Sequence, residues 1–168
     1  MMQVTSAEAN KMLRKLFEDH KILCERERTA CVFVAATIEK PEDARPQYDY
    51  AETQRRLAET ERKIRALKHA VNLFNAGKTL QGFDLTIDQA LIYIPQLTKR
   101  AEKLSRMRAV PAKERYVGGR STNLIEYRYA NYGIAEADAD YRAAADELAR
   151  LQNALDLVNS TVKFEIGP

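Results

Sequence analysis

Apolar residues recur at alternating spacings of three and four through the last third of the chain: Ile134, Ala137, Tyr141, Ala144, Leu148, Leu151, Leu155, Val158 and Val162. This spacing draws one narrow apolar stripe along a single helix, a coiled-coil-like seam that requires partner helices. Three such partners are predicted upstream. The first begins at Thr5, where Thr5 and Glu8 stand at capping-box spacing, and carries Leu13, Leu16, His20 and Leu23 on one face, widened by Phe17 and Cys24, as far as about Arg28. The second follows a capping pattern at Asp49 and Glu52 and places Tyr50, Leu57, Ile64 and Val71 at sevens, with Thr53, Thr60, Leu67 and Phe74 between them, up to Gly77. Thr86 and Gln89 head the third, which runs to about Arg108 through Ala90, Leu91, Ile94, Leu97, Ala101 and Leu104, with Pro95 as an expected kink.

Between these helices the period changes. Cys31, Val32, Phe33 and Val34 form a β-branched and aromatic cluster that predicts a short strand over about 31–35, a continued helix being the alternative. Arg115, Tyr116 and Val117, the Gly118–Gly119 pair, and Ile125, Tyr127 and Tyr129 on alternate positions predict a β-hairpin over about 113–130. The tail alternates again at Val162, Phe164 and Ile166, as a last short strand or an apolar clip would. If the four helices run up and down, the 31–35 strand and the hairpin meet at one end. The expected fold is therefore mostly α: an elongated antiparallel four-helix bundle with coiled-coil-like seams, capped at one end by a small antiparallel β-sheet.

Size and charge add bounds. The 168 residues fit one helical domain, 1–168, with a core large enough to stand without disulfides. The formal net charge is only +3, so total charge singles out no partner. No stretch approaches the roughly 20 apolar residues of a spanning helix, and no export signal is evident at the start, so a cytoplasmic protein without a membrane partner is expected. Cys24 and Cys31 lie about 10 Å apart along one helix, too far to bridge, and are expected as buried free thiols.

The run Ala44-Arg45-Pro46-Gln47-Tyr48-Asp49-Tyr50, the segments 64–72 and 86–97, and the block Tyr129-Ala130-Asn131-Tyr132 carry a resemblance that covers most of the chain. Together they resemble a family of small uncharacterised bacterial helical proteins, related to a wider septicolysin-like group. The resemblance implies a helical fold and assigns no activity, cofactor or catalytic residue.

Little in the chain looks like an active site. Asn75-Ala76-Gly77-Lys78-Thr79 ends like a phosphate-binding loop, but the motif's first glycine is Asn72 here and a helix precedes it, so a helix C-cap is the expected role. Phe17 and Ala66 occupy the positions three before His20 and His69, so the Glu-x-x-His signature of a carboxylate-bridged metal pair is absent. His20 and Cys24, four apart on one face, could meet as base and nucleophile, but core packing is the expected role of both. No metal, cofactor or catalytic residue is expected.

The basic segment is the serious alternative. From Lys99 to Arg120 eight basic residues face two acidic ones, and the segment leads into the tyrosine-rich hairpin. Lys99, Lys103, Arg106, Arg115 and Tyr127 could hold single-stranded nucleic acid or RNA, with cations on phosphates and an aromatic under a base. The competing reading pairs these cations with Glu136, Asp138, Asp140, Asp146 and Glu147 of the last helix. The favoured function is a non-catalytic structural or interaction protein that forms a homo-oligomer through helical and β-rich surfaces. Val162, Phe164 and Ile166 are its expected oligomer contacts.

Overall fold

A computed structural model describes residues 2–116 and 125–167. In chain order these form β1 (Met2–Thr5), α1 (Ser6–Ala30), α2 (Pro41–Ala44), α3 (Tyr50–Gly77), α4 (Ile87–Arg108), β2 (Lys113–Tyr116), β3 (Glu126–Tyr129), α5 (Ile134–Thr161) and β4 (Lys163–Ile166). The protein is mostly helical, with small antiparallel strand pairs. No helix among the described residues is long and apolar enough to cross a membrane. The chain divides into two compact units, one made of Met1–Gly77 with Val158–Pro168 and the other of Lys78–Leu157.

In the first unit α1 and α3 pack together because each presents a periodic apolar face. Ala9 and Leu13 of α1 meet Leu67 and Val71 of α3 in one buried cluster, with Leu16 and Ile64 at its margin. The helix starts where the sequence places it, since the Thr5 hydroxyl accepts from the Glu8 N–H at 3.2 Å while the Glu8 carboxylate accepts from the Thr5 N–H at 2.8 Å. Those two bonds satisfy donors that a helix start leaves open. The Glu8 carboxyl is held below the usual carboxylate range, first by that backbone bond and then by the Thr5 hydroxyl. The helix runs two residues past the expected stop, to Ala30.

β1, which the sequence reading does not anticipate, pairs antiparallel with β4 in the register Met2 with Ile166 and Val4 with Phe164. Val4 and Ile166 enter the α1–α3 cluster, and the Phe164 ring stacks on Phe74 at 4.5 Å. The tail is thus the short strand the alternation suggested. The apolar side expected to meet a second copy is covered within the chain: Ile166 is buried, and Val162 and Phe164 are half-buried.

In the second unit Thr86 caps α4 with the full reciprocal pattern, its hydroxyl accepting from the Gln89 N–H at 3.3 Å. Ala101 and Leu104 of α4 and Ala144 of α5 form a buried cluster bordered by Met107 and Tyr141. Along α5 every position of the seam is buried or half-buried, from Ile134 through Leu151 to Val158.

The predicted strand over 31–35 does not form. Residues 31–36 belong to no helix or strand, and Val32 and Val34 are 75% and 94% exposed. β-propensity expresses how well a side chain packs on a half-buried pleated surface, and no neighbouring strand among the described residues offers that surface. Among the described residues β2 and β3 therefore pair as a two-stranded sheet without the expected third strand. The cysteine expectation fails for a related reason: Cys24 and Cys31 are both free but exposed, because Cys24 sits beside the buried stripe of α1 rather than in it.

Candidate interaction surfaces

The hairpin strands β2 and β3 pair Lys113 with Tyr129, Glu114 with Arg128, Arg115 with Tyr127 and Tyr116 with Glu126. The Ala130 N–H donates to the Ala112 carbonyl at 3.2 Å, which sets the phase of the ladder. In an antiparallel pair, bonded and non-bonded residue pairs alternate. Counting from Ala112 and Ala130, the Glu114–Arg128 and Tyr116–Glu126 pairs bond inward. The N–H and C=O groups of Lys113 and Arg115 on β2, and of Tyr127 and Tyr129 on β3, then point to the open edges.

The same alternation sorts the side chains onto two faces. Lys113, Arg115, Tyr127 and Tyr129 share one, where the Lys113 ammonium lies 4.1 Å from the centre of the Tyr127 ring and 5.5 Å from that of Tyr129. Glu114, Tyr116 and Arg128 share the other, where Arg128 pairs with Glu114 at 3.1 Å and lies over the Tyr116 ring. Both tyrosines of the first face are exposed. Arg115 and Tyr127, expected together from sequence, are thus brought side by side. Arg120, Val117, Gly118, Gly119 and Leu124 lie outside the described residues.

On α4 the residues Lys99, Lys103 and Arg106 fall opposite the buried Leu97, Ala101 and Leu104, since one hundred degrees per residue carries them to the far side of the helix. All three are exposed. Arg108 pairs with α5, reaching Asp138 at 3.0 Å and covering the Tyr141 ring at 3.8 Å. Asp138 also takes Arg142 at 2.7 Å, and Asp146 takes Arg150 at 3.1 Å, so α5 neutralises part of its own acid. Among the described residues Lys99, Lys103, Arg106, Lys113 and Arg115 form no ion pair. The Tyr93 hydroxyl donates to Glu147 at 3.0 Å, and that bond, with burial, pushes the phenol up.

In the first unit the connection after α1 is held at its base. Tyr48 donates to Glu27 at 2.8 Å, and desolvation together with that bond pushes the phenol up to about 12. Arg45 lies over the Phe33 ring at 5.7 Å. Beyond that anchor Val32, Val34 and Ile38 face outward, the last 95% exposed.

No family model matches this chain. No curated protein matches it either. A functionally unknown conserved protein from Corynebacterium diphtheriae shares its fold, with a TM-score of 0.59 and 17% identity over 98% of this chain and 100% of that one. At that identity the likeness carries fold alone, and none of the three comparisons shows a septicolysin-like relation.

The sequence reading missed two features of these surfaces. The first is the outward apolar run 32–38, which reads as core from composition. The second is Glu61 of α3, which meets His20 of α1 at 3.2 Å across a separation of 41 residues. Glu61 lies four before Arg65 and on the flank of the α3 seam, a position that marks it as interfacial only once the pairing of α1 with α3 is known. Among the described residues no group of three or more His, Cys, Asp or Glu side chains is placed to hold a metal ion.

Proposed function

We propose that this chain is a non-catalytic interaction protein of the cytoplasm that associates with further copies of itself through its helical and β-rich surfaces. The observation that carries the reading is the open edge of β3, taken together with an exposed apolar run, 32–34, elsewhere in the chain. Among the described residues the outward backbone groups of Tyr127 and Tyr129 have no strand partner and their rings are exposed, whereas the other edge carries Lys113 and Arg115, the kind of charged edge that resists strand addition. Residues 32–35 are uncharged and in no strand, so on a second copy they can supply a third strand to that edge. Light scattering on the purified protein is expected to give a mass above one chain at micromolar concentration, and Val34→Asp with Ile38→Asp is expected to lower it at unchanged helix content. A monomer at every concentration, or an oligomer indifferent to both substitutions, removes the reading.

A second reading is favoured by the unpaired cations. Lys99, Lys103 and Arg106 on α4, with Arg115 and Tyr127 on the hairpin, suit a single-stranded nucleic acid or RNA. A gel shift titrated with salt tests it. Binding should weaken steeply as salt rises, and Lys103→Glu with Arg106→Glu should reduce both affinity and the salt slope.

A further inference from the structure

Three side chains on the α1–α3 pair meet in a cluster that neither helix could build alone. Cys24 and His20 are four apart on α1 and so share a face, with the thiol sulfur flanking the imidazole at 3.7 Å from Nδ1 and 4.0 Å from Nε2. Glu61 approaches from α3, its Oε1 lying 3.2 Å from His20 Nε2. An ionised carboxylate only accepts hydrogen bonds, so Nε2 carries the ring proton and Nδ1, the nitrogen nearer the sulfur, is left as an acceptor. Cys24 is exposed, and His20 and Glu61 also line a recess of about 220 Å³ with Phe17, Ile64 and Arg65.

We propose that Cys24 is a nucleophilic thiol, activated by His20 and Glu61, that takes up small-molecule disulfides by thiol–disulfide exchange. The Cys24 S–H proton passes to His20 Nδ1, and Glu61 stabilises the imidazolium that results. The thiolate then attacks one sulfur of the disulfide, the S–S bond breaks, and the departing thiolate recovers the proton from His20. The products are a mixed disulfide on Cys24 and one equivalent of free thiol, with no other oxidant required. The step is a stoichiometric modification: the backbone N–H groups around Cys24 lie within the helical ladder of α1, which leaves no donors for an acyl-transfer oxyanion.

Cys31 is the control within the same molecule. It is equally exposed, but its sulfur meets only the Arg28 carbonyl, at 3.8 Å, and it caps the C-terminal end of α1, where the helix field disfavours negative charge. Exposure alone therefore predicts equal rates for the two thiols, and the Cys24–His20–Glu61 cluster predicts unequal ones.

The test follows the full chain at neutral pH with oxidised glutathione as the probe, reading each site by peptide mass spectrometry. Cys24 is expected to exchange about tenfold faster than Cys31. His20→Gln should bring Cys24 down to the Cys31 rate, and Glu61→Gln should leave it between the two, while Cys31 and the far-ultraviolet circular dichroism stay unchanged. Equal rates in the native protein, or a Cys24 rate untouched by both substitutions, would overturn the proposal. Because the site lies on α1 and α3 alone, its failure leaves the self-association reading untouched.

Discussion

The chain contains two antiparallel strand pairs of the same length, and they are held in opposite ways. The β1–β4 pair is anchored in the core: Val4 is 1% exposed, Ile166 is buried with it, and Phe164 rests on Phe74. In β2–β3 seven of the eight residues are exposed, Glu114 being the half-buried one, and the side-chain ties run across the strands themselves, Lys113 over Tyr127 and Arg128 to Glu114. Both pairs make the same backbone ladder, yet an isolated two-stranded ribbon is only marginally stable in water. Burial distinguishes them. The first pair is part of a core, and the second is exposed on both faces.

The sharpest test of that contrast is truncation beneath the anchored pair. Ile166→Ala removes a buried branched side chain from the α1–α3 cluster and is expected to lower unfolding stability by about 2–5 kcal/mol, since the lost transfer energy adds to the cavity left behind. Urea denaturation checks it. A loss below about 0.5 kcal/mol, the size of an ordinary surface change, would mean that β4 is an ornament like the hairpin.

Next in size is the junction between β1 and α1. Thr5→Ala removes the hydroxyl that accepts from Glu8, and helix caps of this kind contribute about 1 kcal/mol. The Glu8 carboxyl, held below its ordinary value of 4.5, adds a pH signature. A depressed carboxylate stabilises the fold above its unfolded pKa, and that contribution drains away as the pH falls below 4.5 towards the lower folded value. Glu8→Gln is accordingly expected to flatten the acid limb of a stability–pH profile. A profile identical to the native one would detach the cap from the stability of this end.

A smaller effect of opposite sign is expected at Ser6. Its side-chain oxygen is buried and, among the described residues, has no hydrogen-bond partner. Ser6→Ala removes an unsatisfied polar atom without opening a large cavity, so stability should rise, by up to about 1 kcal/mol. A fall measured by the same denaturation curve would reveal a water or side chain serving that hydroxyl, and would make the anchored end partly polar.

How much of this was readable beforehand follows the range of the interactions. The α5 seam from Ile134 to Val162 and the caps at Thr5 and Thr86 depend on residues three and four apart, and the sequence reading placed them correctly. The hairpin strands were readable for the same reason, since Tyr127 and Tyr129 alternate, but their register against β2 was not among the expectations. Cys31 to Ala35 misled because their composition describes a strand that has no partner among the described residues, and composition does not report a partner. Cys24 and His20 were visible as neighbours, but Glu61 arrives only through the register of α1 against α3, which no local pattern encodes. β1 was unreadable for want of length, as Met2 and Val4 offer a single alternation.

The smallest expected effect tests the exposed pair directly. Lys113 lies over both tyrosine rings, and a cation–π contact at an exposed site is worth about 0.5–1 kcal/mol to the local geometry. If the hairpin folds and unfolds apart from the core, that energy is spent locally and never reaches the global transition. Lys113→Ala should then shift the urea-derived stability by less than about 0.5 kcal/mol, while amide exchange at 113–116 and 126–129 accelerates. A global loss near that of Thr5→Ala would show the ribbon to be tied into the core after all, and the contrast between the two strand pairs would collapse into a difference of degree.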